Sequence, residues 1–198
     1  MLATITKEPK AIHKNGQKNT PKKISWEQFQ KQYLSREDGF KYEWLNGLIE
    51  KTPRTMDYKQ LQMVENILAF FEELKVAKGI KGRIHEELDT FFDVQHRRPD
   101  LCFITTEQLK KIKTEAPVPS FVVEIISITD NINRVNRKVD DYFDAGVKVL
   151  WHIFPELKKV HVYENSKHIL ICEGADLCSA EAAIEGFVLS VDAIFDNV

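Results

Sequence analysis

Long apolar runs are missing from this chain. The longest, such as Val147 to Phe154, are interrupted and fall far short of a membrane span. Cysteine is nearly absent as well: Cys102, Cys172 and Cys178 make an odd count without CxxC spacing, which excludes a disulfide framework or a cysteine zinc cage. They read as buried, reduced thiols in a cytoplasmic protein. Met1 to Thr20 has neither an apolar core nor a small-residue cleavage pattern, which argues against a secretory signal. His85, His96, His152 and His161 fall in separate strands or turns without HxxxH spacing, so they read as surface or hydrogen-bonded histidines. Ser127 lacks a G-x-S-x-G setting, which argues against a serine nucleophile. There is no internal repeat and no linker to a second domain.

What is present is ordinary in amount and uneven in placement. The 198 residues are 43% hydrophobic and 29% charged, enough for one domain with a real core. Formal net charge is −2, yet residues 1–23 hold six lysines against Glu8, a local +5 that leaves −7 on the body. Residues 1–22 are polar, aperiodic and Lys-rich, which reads as a disordered arm, with 23–198 as the folded domain. An acidic body does not suit a protein that coats nucleic acid through a broad basic face. It does not argue against a metal site, which needs carboxylates.

The pattern predicts an α/β domain. Ser25-Trp26-Glu27-Gln28 is a capping box opening a short helix with Trp26, Phe29 and Tyr33 on one face. Tyr42 to Leu45 and Leu48 to Glu50 flank Asn46-Gly47, a hairpin signal. From Tyr58 to Lys78, Leu61, Val64, Leu68, Phe71 and Leu74 follow helical spacing, with Gly79 as the stop. Residues 83–94 and 99–105 read as two strands joined by a Gln95 to Arg98 turn, and 106–113 as a short helix. Phe121 to Ser127 is a near-continuous apolar strand of the kind buried on both faces. A helix capped by Thr129 or Asp130 runs to Ala145, with Ile132, Val135, Val139, Tyr142 and Phe143 inward. Strands at 147–154, 160–163 and 168–172 follow, then a strand near 187–189 and a terminal helical turn. Together these make one mixed sheet with helices around it.

Two acids stand out. Asp100 follows Arg98-Pro99, and Glu124 is surrounded by Val122, Val123, Ile125 and Ile126. A carboxylate in such a run is costly to desolvate without a partner, and two of them can share a divalent cation. Phosphodiester hydrolysis wants that arrangement: a cation neutralises the ester and acidifies the attacking water. Mg²⁺ accepts one or two carboxylates and keeps water elsewhere, and the Ile125 carbonyl could add a ligand. The pair resembles the PD-(D/E)xK nuclease signature, but Ile126 stands where its lysine belongs. Lys138, on the next helix, can project back toward the acids.

The run Val122 to Ser127, with Asp130, Lys138, Tyr142, Ala145-Gly146-Val147 and Trp151, is similar to the Uma-two family of restriction endonucleases, abundant in bacteria. Arg98-Pro99-Asp100, Tyr42-Glu43 and Asn46 to Glu50 extend the match over roughly residues 25 to 195. The resemblance implies a restriction-endonuclease-like fold, a mixed central β-sheet flanked by helices, acting as a Mg²⁺-dependent endonuclease on DNA with Mn²⁺ as a substitute. It makes Asp100 and Glu124 metal ligands, Lys138 the catalytic lysine, and Glu43 an additional acid for the metal or its water. Cutting both strands needs two sites, an argument for a homodimer. Ile128 replaces a usual proline and Arg134 a usual acid.

Plainer alternatives use the same residues. Glu124 could form a buried salt bridge to Arg98 or Lys138 with no metal, Lys138 could pair with Asp141 three residues on, and Glu43 could pair across the hairpin. The resulting protein would be a catalytically inactive module for nucleic-acid binding or assembly, or a plain structural domain.

Overall fold

The computed structural model describes residues 22–54, 57–92, 95–112 and 115–198. Apart from Lys22, the Lys-rich arm expected at the N-terminus lies outside them. Local signals account for many of the boundaries. Helix α1 (Trp26–Phe29) opens on the Ser25–Gln28 capping box and continues as a π-helical turn over Gln30–Leu34. Its rings form a stack, Trp26 to Phe29 at 5.5 Å and Phe29 to Tyr33 at 5.8 Å. Strands β1 (Phe40–Leu45) and β2 (Leu48–Pro53) are joined by Asn46 and Gly47 with φ of 45° and 92°, the two positive values that a type I′ turn requires. Helix α2 (Tyr58–Lys78) starts at Asp57 and ends on left-handed Gly79. It buries Met63, Val64, Ile67 and Phe71, whereas Leu61 is 43% exposed because that inward stripe runs along a different side of the first turn.

The next segment departs from the pattern reading. The expected strand over 83–94 is two strands, β3 (Gly82–Glu86) and β4 (Thr90–Phe92), separated by Glu87 at φ 44°. The expected turn at Gln95 is itself a strand, β5 (Gln95–Arg97), paired with β1 and β4. His96 and Arg97 are polar and still buried, because hydrogen bonds and ion pairs compensate their desolvation. Strand β6 (Leu101–Thr105) leads into α3 (Thr106–Lys111) and then β7 (Phe121–Ile125). Helix α4 (Ile132–Ala145) is capped by Asn131, one residue later than expected, since Asp130 instead accepts from Ser127 N at 2.8 Å. Ile132, expected inward, is 62% exposed in the first turn. Strands β8 (Val149–Phe154), β9 (Lys159–Asn165), β10 (His168–Glu173), β11 (Leu177–Ser179) and β12 (Val188–Ser190) follow, with α5 (Val191–Ile194) last.

The strands divide among three sheets. The central mixed sheet has the order β10-β9-β8-β7-β6-β3, antiparallel except for the β7–β8 pair that α4 connects. The hairpin belongs to a second sheet, β2-β1-β5-β4, and β11–β12 form a small third one. Side-chain alternation along β6, β7 and β8 assigns the two faces of the central sheet. Leu101, Phe103, Phe121, Val123, Trp151 and Ile153 pack toward α2 and α5. Cys102, Ile104, Val122 and Leu150 pack toward Val139 and Tyr142 of α4 and Phe92 of the second sheet. That second face carries Glu124, two positions after Val122. Among the described residues no helix is long and apolar enough to cross a membrane.

Candidate active site

The register of β6 against β7 brings the two acids together. Leu101 pairs with Val123, so one step further along the same ladder Asp100 comes opposite Glu124. Directly opposed residues of an antiparallel pair project from the same face, with Cβ atoms about 4.5–5.5 Å apart. The ladder stops there because the Asp100 side chain takes over: Oδ2 accepts from Ile125 N at 2.7 Å. This contact fixes the Asp100 carboxylate beside the end of β7.

Helix α4 supplies the lysine from the adjacent turn of chain. Lys138 Nζ lies 2.9 Å from both Glu124 oxygens, and Tyr142, one helical turn on, donates to Glu124 Oε1 at 2.6 Å. The three side chains are buried, with Glu124 3% and Lys138 7% exposed. Burial first, and then the nearby Glu124 and Glu43 carboxylates, push the Tyr142 phenol well above its usual pKa, so it stays a donor. The salt-bridge alternative for Glu124 is therefore realised with Lys138, not Arg98. Asp141 accepts from Arg97 rather than pairing with Lys138.

Glu43 lies behind the lysine. It is fully buried, with Oε1 accepting from Arg98 N at 3.0 Å and Oε2 from Arg97 Nη1 at 3.2 Å, and Lys138 Nζ is 3.5 Å away. Burial opposes its charge, but Lys138, Arg97 and Lys41 hold its carboxyl far below the ordinary range. Across the hairpin Glu43 is paired with Glu50, and like charges so placed repel unless bridged. Arg97 Nη1 bridges them, lying 3.2 Å from each, while Arg134 at 2.9 Å and Arg137 at 3.2 Å hold Glu50 from the other side.

Three residues of the site had no role assigned from sequence. Lys41, on β1 two residues before Glu43, reaches Asp100 Oδ1 at 2.8 Å. Its signal was the same period-2 alternation that puts Lys41 and Glu43 on one face of the strand. Arg97 was hidden in a segment read as a turn. His152, opposite Glu124 in the β7–β8 register, is neither at the surface nor hydrogen-bonded: both ring nitrogens are buried without a partner among the described residues. Burial depresses its pKa to about 4.

Comparison with known proteins places this geometry in a family. The model of the Uma2 family, described as "Putative restriction endonuclease", matches residues 26–192. The chain belongs to the Uma2 family. Among solved structures it is similar to one described as "a putative nuclease belonging to DUF820 from Anabaena variabilis", with a TM-score of 0.72 and 18% identity over 87% of this chain and 97% of that one. That likeness shows a shared fold. No curated protein matches the chain.

The Uma2 site opens on a cleft of about 590 Å³ whose walls include Lys41, Asp100, Glu124, Ile125, Arg134 and Lys138. Glu43 is not in its wall. Among the described residues no cluster of three or more His, Cys, Asp or Glu side chains could hold a metal. The available donors are two opposed carboxylates at the edge of an open cleft. That set fits Mg²⁺, which is bound by one or two carboxylates and otherwise by water, and does not fit a zinc or calcium cage.

Proposed function

We propose that this Uma2 protein is a Mg²⁺-dependent endonuclease that hydrolyses phosphodiester bonds in DNA, with Mn²⁺ able to substitute. The observation that carries the proposal is Asp100 opposite Glu124 at the mouth of the cleft, with Lys138 held on Glu124 by both oxygens. Asp100 and Glu124 would hold the cation, which neutralises the phosphate and acidifies the attacking water. Lys138 orients that water and offsets charge developing on the phosphate, as a preorganised donor in a partly dry site does. Glu43 is a positioning residue: together with Glu124 it fixes the Lys138 ammonium. Ile125 can offer its carbonyl as a further oxygen. The same proposal takes 23–198 as one domain, 1–22 as an arm, and the protein as a bacterial cytoplasmic homodimer whose two sites cut both strands.

Plasmid DNA incubated with protein and Mn²⁺ tests this directly. Wild type should nick, and Glu124→Gln and Lys138→Ala should lose at least about a hundredfold in rate, the scale of a lost electrostatic or acid–base contribution. Equal nicking by all three would expose a contaminant and defeat the proposal.

One observation favours a second class, a catalytically inactive nuclease-fold module. Every carboxylate oxygen of Asp100 and Glu124 already has a hydrogen-bond partner inside the protein. Calorimetric titration with Mg²⁺ separates the two: heat in wild type that disappears in Asp100→Asn supports the nuclease, and no heat in either supports the module.

A further inference from the structure

We infer that Lys41 is the resident counter-cation of the Asp100–Glu124 pair, its ammonium standing where a divalent cation is to bind, so that the metal enters by displacing it. The inference rests on the metal-dependent function proposed above. Lys41 comes from β1 in the second sheet and reaches across to Asp100 Oδ1 at 2.8 Å, while Asp100 Oδ2 is committed to Ile125 N. Its side chain is buried yet lines the same cleft as the two acids. A second cation drawn to Oδ1 meets the Lys41 ammonium already 2.8 Å from that oxygen, and like charges at such range repel.

The two lysines of the site differ in how they are tied. Lys138 touches both oxygens of Glu124 and lies near Glu43, so it is anchored from two elements. Among the described residues the Lys41 ammonium has one hydrogen bond, to Asp100 Oδ1. Its ammonium is buried, and the nearby Asp100, Glu124 and Glu43 carboxylates offset that burial. Glu43, Asp100 and Glu124 are balanced by Lys41, Lys138 and Arg97. The site is therefore close to neutral without a metal, and a divalent cation overfills it. Releasing Lys41 from Asp100 relieves the excess and leaves its charge on the cleft wall, free to meet a phosphate.

The test compares Mn²⁺ binding to the full chain in wild type, Lys41→Met and Lys41→Met with Asp100→Asn, by calorimetry and without DNA. Lys41→Met should bind Mn²⁺ at least about tenfold more tightly than wild type, and Asp100→Asn should abolish the gain. Equal or weaker binding by Lys41→Met overturns the counter-cation role while leaving the metal site intact. No heat in any folded variant overturns both. A measurement on wild type alone covers the case in which Lys41→Met does not fold. Labelling by an amine-reactive reagent, read by mass spectrometry, should rise severalfold at Lys41 on adding Mn²⁺ and stay unchanged at Lys138. Unchanged labelling of Lys41 at Mn²⁺ concentrations that produce binding heat rejects displacement.

Discussion

Lys138 is held by contacts rather than by solvent, which makes it a structural element as well as a candidate catalytic one. Removing its charge leaves the buried Glu124 and Glu43 carboxylates without the ammonium they share, and breaking a buried pair from one side costs about 3–5 kcal/mol. Lys138→Met should therefore lower unfolding free energy in urea by that amount, and adding Glu43→Gln should recover part of it. A variant as stable as wild type would mean that the acids relax to water. His152 gives a second prediction. Its folded pKa of about 4 lies below the ordinary 6.5, so between those values the unfolded chain takes up a proton that the folded chain refuses. Stability is then full above pH 6.5 and is lost as pH falls through 4, on the order of 3 kcal/mol in all. His152→Leu should flatten urea stability between pH 7 and 4.5. A curve as steep as wild type's would assign the acid sensitivity elsewhere.

Among the elements, β3 depends on a side chain that is not there. A Cβ at Gly82 would lie 2.5 Å from the Phe103 ring and 2.8 Å from the Ile104 carbonyl oxygen. The ring can move and the backbone of β6 cannot, so Gly82→Ala should destabilise by roughly 1–3 kcal/mol. It should also weaken cleavage by disturbing β6, whose first residue, Leu101, follows Asp100. Denaturation midpoints check the first effect, and an unchanged midpoint would show that β3 shifts freely. The elements that sequence revealed are those with local chemistry: the Ser25 box, the Asn46-Gly47 turn, and the Gly79 and Gly146 stops, all set by neighbours a few residues away. Strand β5 was not legible, because Gln95, His96 and Arg97 carry no apolar signal. His96 is buried by hydrogen-bonding Asp89 at 2.8 Å and Arg97 by ion pairs to three acids, Glu43, Glu50 and Asp141, all contacts distant in sequence or invisible to periodicity. Asp100 and Glu124 could be named because an acid in or beside an apolar run breaks a local expectation, Lys138 because the helix after Glu124 offers the lysine missing at Ile126, and Glu43 through the family resemblance. Lys41 could not, because a lysine on a hairpin strand breaks none.

Across the whole molecule, the cations of the site are turned inward, while many other basic side chains are exposed. Lys41, Arg97 and Lys138 face carboxylates, Arg54 is tied to Glu37 and Glu87, and the residues after 23 carry a net −7. The wall of the cleft also carries Glu86 and Glu87, which repel an approaching polyanion. The +5 of residues 1–23 then supplies attraction that the net −7 of the body does not, while the cleft determines the chemistry. Deleting residues 1–21 removes four of the six lysines together with Glu8. Each lysine that engages a phosphate contributes up to about 0.9 to the slope of log affinity against log salt. The truncated chain should bind a labelled duplex more weakly between about 50 and 200 mM salt, with a shallower slope. Its single-turnover nicking rate at saturating protein should match wild type, since the Asp100, Glu124 and Lys138 constellation is untouched. Fluorescence anisotropy across salt gives the slope. An unchanged slope would move the DNA contact onto the body and require its exposed basic residues to overcome the −7.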